Sequence, residues 1–153
     1  AGVQRAALVG HSWGALVGWP SATEHLALAP VLLWAGTIFW VIGYDTLYAI
    51  QDKEDDALVG VRSSARRLGE AAPLGVGLFY ALAVLLWSIA LWSVRPDWLA
   101  LLSLAPAAIH LAGQAVRADP NNGELALRLF RSNRVTGLLV FLAMLVVGLS
   151  SVE

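Results

Sequence analysis

Five long stretches of the chain contain no Asp, Glu, Lys or Arg, and this feature limits the possible folds most. The stretches cover residues 6–23, 25–44, 71–94, 98–116 and 135–152, with lengths of 18, 20, 24, 19 and 18 residues. A helix of about 20 residues crosses the roughly 30 Å of hydrocarbon in a bilayer, whereas helices of globular proteins average about 10–14 residues. The sequence therefore predicts five transmembrane helices.

The composition supports a membrane protein and excludes other classes. Hydrophobic residues make up 58% of the 153 residues and charged residues only 14%, against about 25% charge in a typical soluble domain. The absence of cysteine excludes a disulfide-stapled secreted domain, and the near balance of 10 basic and 11 acidic residues disfavours nucleic-acid binding. Uninterrupted apolar runs disfavour a β-barrel. We expect an all-α, polytopic membrane helix bundle.

The basic residues predict how the bundle is oriented. We expect helices over about residues 4–20, 26–50, 72–94, 97–117 and 134–151, with polar loops over about 51–71 and 118–133. Nine of the ten basic residues then fall on the side of these two loops, and only Arg95 falls on the other. Positively charged loops stay on the cytoplasmic side, or the matrix side in mitochondria. The two loops are therefore predicted to face that side.

Acidic residues are concentrated at the end of the second predicted helix. Five of the eleven acids fall between residues 45 and 56. If the helix continues, Asp45, Asp52 and Asp56 share one face, and like charges at that spacing repel. A hard divalent cation such as Mg²⁺ suits an all-carboxylate site. Asp45, Asp52 and Asp56, with Asp55 beside them, are therefore candidates for a site that holds such a cation.

Basic residues follow the acids directly. Lys53 and Arg62, with Arg66 and Arg67 beyond them, supply the positive charge that a polyphosphate would need. The alternative is a solvated loop of mixed charge. Asp45 argues against that alternative, because an ionised carboxylate at the end of an apolar run is costly and marks a functional candidate.

A second motif points to different chemistry. Gly10-His11-Ser12-Trp13-Gly14 matches the G-x-S-x-G nucleophile elbow of serine hydrolases. That elbow needs a strand before it, but here the motif lies inside an uncharged helical run. We therefore expect Ser12 to bond a carbonyl one turn back, and His11 and His110 to pack or bond within the bundle. A serine hydrolase stays as a further alternative.

Several stretches resemble one protein family. The segment from Tyr44 to Ala65 resembles the second aspartate-rich motif of the UbiA superfamily of intramembrane prenyltransferases, in the branch that acts on 4-hydroxybenzoate. Its matching residues are Tyr44-Asp45-Thr46, Tyr48-Ala49, Asp52, Asp55-Asp56, Gly60 and Ser63-x-Ala65. Two flanking stretches are also similar to the family, namely Ser12-Trp13-Gly14-Ala15 and Phe130-Arg131-Ser132-Asn133-Arg134 followed by Gly137-Leu138-Leu139.

The resemblance implies a nine-helix bundle and a specific reaction. Two aspartate-rich loops of the family bind Mg²⁺ and the diphosphate of a polyprenyl donor, and the ring of 4-hydroxybenzoate attacks the allylic carbon in an early step of ubiquinone biosynthesis. By resemblance, Asp52 and Asp56 are the metal-binding D-x-x-x-D pair, with Asp55 as a further metal ligand, and Asp45 is the intramembrane aspartate with a supporting catalytic role. Lys53 and Arg62 are then predicted to bind the diphosphate. The resemblance also implies an integral protein of the bacterial or mitochondrial inner membrane.

The chain departs from the family pattern in some places. Arg62 and Ser64 stand where the family commonly has Lys and Thr, and the first four helices with the first aspartate-rich motif are missing. We therefore expect residues 1–153 to be the C-terminal part of a single prenyltransferase domain, inactive alone. A transporter fragment with carboxylates at its cytosolic mouth is the alternative from another functional class, and it would place charges along a path at mid-membrane depth.

Overall fold

The computed structural model describes residues 28–52 and 64–150, and within them the fold is entirely helical. Its elements are α1 (Leu28–Gln51), α2 (Ser64–Leu68), a 3₁₀ turn (Gly69–Ala71), α3 (Ala72–Val94), α4 (Trp98–Arg117) and α5 (Gly123–Ser150). Four of these helices are long and apolar enough to cross a membrane. The all-α membrane bundle is thus confirmed, while the first predicted helix, over about 4–20, lies outside the described residues.

The four long helices form a ring. α1 packs on α3 and α5, and α4 packs on the same two helices from the other side. Neighbours run antiparallel, so the end of α1 meets the start of α5, where a Cβ on Gly123 would lie 3.3 Å from the Cα of Gln51. We call this end of the ring, with α2 and the α4–α5 connection, the polar end. The short connection from Val94 to Trp98 lies at the opposite end.

Regular spacing of small and medium-sized residues brings the helices together. Buried positions recur every three or four residues on α4 and α5, which keeps them on one face of each helix. They are Ala100, Leu104, Ala107, Leu111 and Gln114 on α4, and Ala126, Leu129, Asn133, Thr136, Val140, Ala143 and Val147 on α5. Alanine and other small residues allow close approach of helices in a membrane. Large apolar side chains such as Leu74 and Ile109 point outward, as lipid contact requires.

Local signals explain where three of the helices begin. α3 has Pro73 in its first turn, where the missing N–H costs nothing. Asp97 caps α4, because its Oδ1 accepts the backbone N–H groups of Leu99 at 2.9 Å and Ala100 at 3.3 Å. Asn122 caps α5 in the same way, with its Oδ1 accepting the N–H of Leu125 at 3.0 Å.

The start of α5 corrects the sequence prediction. A loop was expected over about 118–133, but α5 begins at Gly123, so most of that stretch is helix. Charged residues indicate where a helix leaves the hydrocarbon, and the arginines at 128, 131 and 134 therefore do not mark where α5 begins. α5 begins two turns or more before the apolar run, directly after its cap Asn122.

The connection predicted over 51–71 also contains regular structure at its end. Ser64–Leu68 forms one short helix, which ends at Gly69. Gly69 has a φ of +55°, a left-handed conformation that glycine adopts without steric cost and that commonly closes a helix. The chain therefore turns sharply there before α3 descends from the polar end.

Candidate functional site

The end of α1 carries the two predicted acids that the structure describes. α1 remains helical through Gln51, and the N–H of Asp52 donates to the carbonyl of Tyr48 at 3.3 Å, so the helical path reaches Asp52. Asp45 and Asp52 are seven residues apart and share one face of the helix, about 10 Å apart along its axis. Asp45 is exposed and Asp52 is half-buried.

The spacing of these acids assigns them different roles. Oxygen ligands of one Mg²⁺ lie about 2.1 Å from the ion, so two side chains 10 Å apart along a helix cannot both bind it directly. Two further acids, Asp55 and Asp56, follow Asp52 within four residues in the sequence. Those two acids, with Lys53 and Arg62, lie outside the described residues. Within residues 28–52 and 64–150, no three His, Asp or Glu side chains form a metal-binding group.

The setting of Asp52 nevertheless suits a cation. Asp52 lies at the C-terminal end of a 24-residue helix, where the aligned peptide dipoles give a partial negative charge. A carboxylate at that position adds to the same negative potential. The donor chemistry and the helix end therefore both favour a hard divalent ion beside Asp52.

Two hydroxyl groups fix the connection against α1. Thr46 is fully buried, and its Oγ1 donates to the carbonyl of Ile42 at 2.8 Å. The hydroxyl of Ser64, the first residue of α2, donates to Thr46 Oγ1 at 3.2 Å. Asp52 and Ser64 therefore both lie at the polar end.

Aromatic rings extend from the polar end into the bundle. Tyr48 and Phe130 lie 5.1 Å apart between ring centroids, Phe130 and Tyr44 lie 5.7 Å apart, and Tyr44 and Trp40 lie 5.3 Å apart. Trp40 then contacts the buried Trp87 of α3 at 5.8 Å. Tyr48, Tyr44 and Trp40 follow at intervals of four, so they line one face of α1. We call these five residues the aromatic wall.

A pocket of about 350 Å³ opens beside the aromatic wall, between α1 and α5. Its lining combines aromatic rings, an amide and two guanidinium groups. The lining residues are Trp40, Tyr44, Phe130, Arg131, Asn133, Arg134 and Gly137. We call it the aromatic–arginine pocket.

Asn133 joins this pocket to the centre of the bundle. Its Oδ1 accepts the indole N–H of Trp40 at 2.8 Å, and its Nδ2 donates to Oε1 of Gln114 at 3.1 Å and to the carbonyl of Leu129 at 3.2 Å. Because an indole N–H can only donate, the orientation of the Asn133 amide is determined. Three helices meet at this one side chain.

Gln114 continues the hydrogen-bonded network. Its Oε1 also accepts the hydroxyl of Tyr80 at 2.8 Å, and its Nε2 donates to the hydroxyl of Ser132 at 3.0 Å. His110, one turn earlier, places its Nδ1 2.9 Å from the hydroxyl of Thr136. The network therefore links all four long helices, and the predicted bonding of His110 within the bundle is confirmed.

Sequence reasoning missed this network and the pocket. The segment Phe130–Arg134 was singled out only as part of a resemblance, and Gln114 was one polar residue in a charge-free run. A signal was available on α5, because Asn133 and Thr136 share the three-and-four spacing of its apolar residues. Polar side chains in an otherwise apolar stripe of a membrane helix indicate hydrogen bonds to neighbouring helices. The G-x-S-x-G motif lies outside the described residues.

Comparison with known proteins places the chain among membrane prenyltransferases. It is 37% identical over 131 residues to the mitochondrial 4-hydroxybenzoate polyprenyltransferase of Arabidopsis thaliana, a match that covers 85% of this chain and 32% of the relative. It is 32% identical over 143 residues to the 4-hydroxybenzoate octaprenyltransferase of Sodalis glossinidius, covering 90% of this chain and 49% of the relative. The chain thus spans about a third to a half of the length of these relatives. No solved structure matches it.

The family model agrees with these relatives. The model described as the UbiA prenyltransferase family matches residues 6–145, which include all of α1, α3 and α4 and most of α5. Since this match extends over most of the 153 residues, the chain belongs to the UbiA prenyltransferase family.

Proposed function

We propose that the chain is the C-terminal part of an intramembrane prenyltransferase that transfers a polyprenyl group from its diphosphate to the ring of 4-hydroxybenzoate, in ubiquinone biosynthesis. Relatives named for this activity match most of the chain, and they are longer than it is. On this proposal the chain supplies one of two aspartate-rich loops and is inactive alone.

One observation carries the proposal most directly. Asp52 ends a membrane-spanning helix, and the aromatic wall begins one turn before it, at Tyr48. The reaction needs both environments side by side: a charged place for the diphosphate that leaves, and an apolar place where the allylic cation is shielded from water. Aromatic faces also attract a cation through their quadrupole.

The residues at the end of α1 would hold the metal. We assign Asp52 and Asp56, with Asp55 beside them, to Mg²⁺, and Lys53 and Arg62 to the diphosphate. Bound Mg²⁺ supplies charge neutralisation of the leaving diphosphate. Asp45 is too far along the helix to share that ion with Asp52, so we assign it a supporting role on the same face.

The polar end would face the cytoplasm, or the matrix in mitochondria. Arg117, Arg128, Arg131 and Arg134 all lie toward this end of the described structure, whereas Arg95 lies in the connection at the opposite end. This asymmetry follows the positive-inside rule for an integral protein of the bacterial or mitochondrial inner membrane.

The transporter alternative has no comparable support. The fully or nearly buried polar side chains in the described parts of the chain are Thr46, Gln114, Asn133 and Thr136, none of which is acidic or basic. A transporter would instead place ionisable groups along a path at mid-membrane depth.

The test replaces the proposed metal ligands in the full-length protein. Asp52→Asn and Asp56→Asn keep side-chain size but remove the negative charge, so each should lower prenylated product formation by about 100-fold or more. Product is measured by chromatography after incubation of membranes with 4-hydroxybenzoate, polyprenyl diphosphate and Mg²⁺.

The matched control is Asp119→Asn, which removes another exposed acid in the α4–α5 connection at the same end of the bundle. It should retain activity within about twofold. Normal turnover by both Asp52→Asn and Asp56→Asn, with expression and folding unchanged, would contradict the proposal.

A further inference from the structure

We propose that the aromatic–arginine pocket binds the carboxylate-bearing aromatic acceptor, with Arg131 and Arg134 on its carboxylate and the aromatic rings on its ring. This inference rests on the proposed function, because it names where on this chain the acceptor of that reaction is held.

The lining of the pocket matches the two halves of such a ligand. Arg131 and Arg134 present guanidinium groups, which bind a carboxylate through paired N–H···O hydrogen bonds. Trp40, Tyr44 and Phe130 present ring edges and faces, which pack against another ring in offset or T-shaped geometry. A volume of about 350 Å³ lies at the small end of ligand pockets, which span about 300–1,000 Å³, and suits a single-ring acid.

Neither arginine of the pocket forms an ion pair with an acid of the described residues. Within residues 28–52 and 64–150 the ion pair found joins Arg95 and Asp97, at the opposite end of the bundle, and neither Arg131 nor Arg134 takes part in one. They are three residues apart on α5, so their positive charges are neighbours on the helix surface and repel each other. An anion between them relieves that repulsion and gains hydrogen bonds from both.

The pocket is built on packed helices and is therefore preorganised. The indole of Trp40 is held by its hydrogen bond to Asn133, and Asn133 is held in turn by Gln114. Phe130 is held between Tyr44 and Tyr48 by ring contacts. A ligand entering this pocket meets aromatic rings whose positions are already fixed, which lowers the entropy cost of binding.

The pocket also lies at a suitable distance from the proposed metal site. Tyr44 precedes Asp52 by eight residues on α1, which is about 12 Å along the helix axis. A single benzoate ring together with a metal-bound diphosphate spans such a gap. With its carboxylate on the arginines, the acceptor would thus direct its ring toward the carbon that the diphosphate leaves.

The experiment compares arginine variants of the full-length protein in phosphatidylcholine vesicles. Arg131→Gln and Arg134→Gln should each raise the KM for 4-hydroxybenzoate about tenfold while leaving the KM for polyprenyl diphosphate unchanged, because each removes a charged hydrogen bond to the carboxylate alone. The control is Arg128→Gln, an exposed arginine on α5 that does not line the pocket, which should leave both constants unchanged.

A neutral competitor tests the carboxylate contact itself. The wild-type protein should bind 4-hydroxybenzoate at least about tenfold more tightly than 4-hydroxybenzamide, and the Arg131→Gln, Arg134→Gln double variant should bind the two equally. Binding is followed by quenching of tryptophan fluorescence, so it does not depend on turnover. A loss of stability alone would weaken the binding of both ligands and would not remove the preference for the acid over the amide.

The outcomes separate this inference from the proposed function. Unchanged acceptor binding in the arginine variants overturns the pocket assignment. The assignment is also overturned if the arginine variants keep the wild-type acceptor KM but their activity depends differently on anionic lipids in the vesicles. The arginines would then bind lipid headgroups. A wild-type protein that binds the acid with the predicted preference but forms no prenylated product contradicts the proposed function and supports the pocket.

Discussion

Two pockets of similar size lie on different sides of the helix ring, and their linings differ in kind. The aromatic–arginine pocket between α1 and α5 measures about 350 Å³, and the pocket between α3 and α4 measures about 430 Å³. The second, which we call the alanine groove, is lined mainly by small or apolar residues. They are Gly77, Tyr80, Ala81, Val84, Leu85, Ser88, Ala108, Leu111, Ala112 and Ala115.

The two pockets differ mainly in the polar groups that converge on them. The larger alanine groove offers little to orient a ligand, since small side chains on two lipid-facing helices leave a shallow space that acyl chains can fill. The smaller pocket combines two cations, a fixed amide and three rings. If the smaller pocket holds the acceptor, as we propose, volume alone does not identify the site.

The largest effect is expected from closing the space beside α1. A Cβ on Gly43 would lie 2.5 Å from Cε1 of Tyr80, whose hydroxyl is tied to Gln114, so the ring cannot easily withdraw. Gly43→Ala should therefore lower the free energy of unfolding by about 2–3 kcal/mol, as overpacking does. Thermal unfolding in detergent micelles, followed by circular dichroism, measures the change.

The alanine groove provides the matched control for that variant. A Cβ on Gly77 would meet only Ala115 Cβ at 3.6 Å, an ordinary contact. Gly77→Ala should be neutral or slightly stabilising, because alanine is the better helix former. Equal loss of stability in the two variants would contradict the prediction, because only Gly43 lies against a ring that is held in place.

A smaller effect is expected from removing a polar group of the network. Asn133→Ala deletes the acceptor of Trp40 and a donor to Gln114, and interhelical hydrogen bonds in membranes are worth about 0.6 kcal/mol on average and up to about 1.7. We expect a loss of about 1–2 kcal/mol and a higher KM for the acceptor, because Trp40 is no longer held. Ser88→Ala in the alanine groove should change neither the stability nor the KM for the acceptor. An unaltered acceptor KM in Asn133→Ala would show that Trp40 keeps its place without the amide.

The sequence predicts the fold far better than it predicts this contrast. Charge-free runs locate the membrane helices because desolvating a charge is so costly that the pattern has few exceptions, and α3 begins and ends where expected. The acids at the end of α1 can be identified from the sequence for the same reason, because charged side chains mark the end of an apolar run. By contrast, the pocket needs Trp40 and Asn133 to meet across 93 residues, and no local pattern encodes which helices become neighbours. The network around Gln114 is equally nonlocal.

The smallest effects concern the caps that start the two helices being compared. Asn122 caps α5, which carries the arginines, and Asn122→Ala should cost about 1 kcal/mol of stability at any pH from 5 to 8, since the amide does not titrate.

Asp97 caps α4, and its hydrogen bond from Arg95 holds the pKa of that carboxyl below its usual value. Because this pKa is lowered on folding, the stability from Asp97 is complete above its unfolded pKa of about 3.9 and is lost only as the pH falls through the lower folded value. Unfolding curves should therefore show no contribution from Asp97 titration between pH 5 and 8. They should show a fall below about pH 4 that Asp97→Asn reduces; a fall of equal size in Asp97→Asn would assign it to other acids. Only the Asn122 variant should also raise the acceptor KM, because fraying of α5 begins two turns from Arg131, whereas α4 carries no residue of the aromatic–arginine pocket.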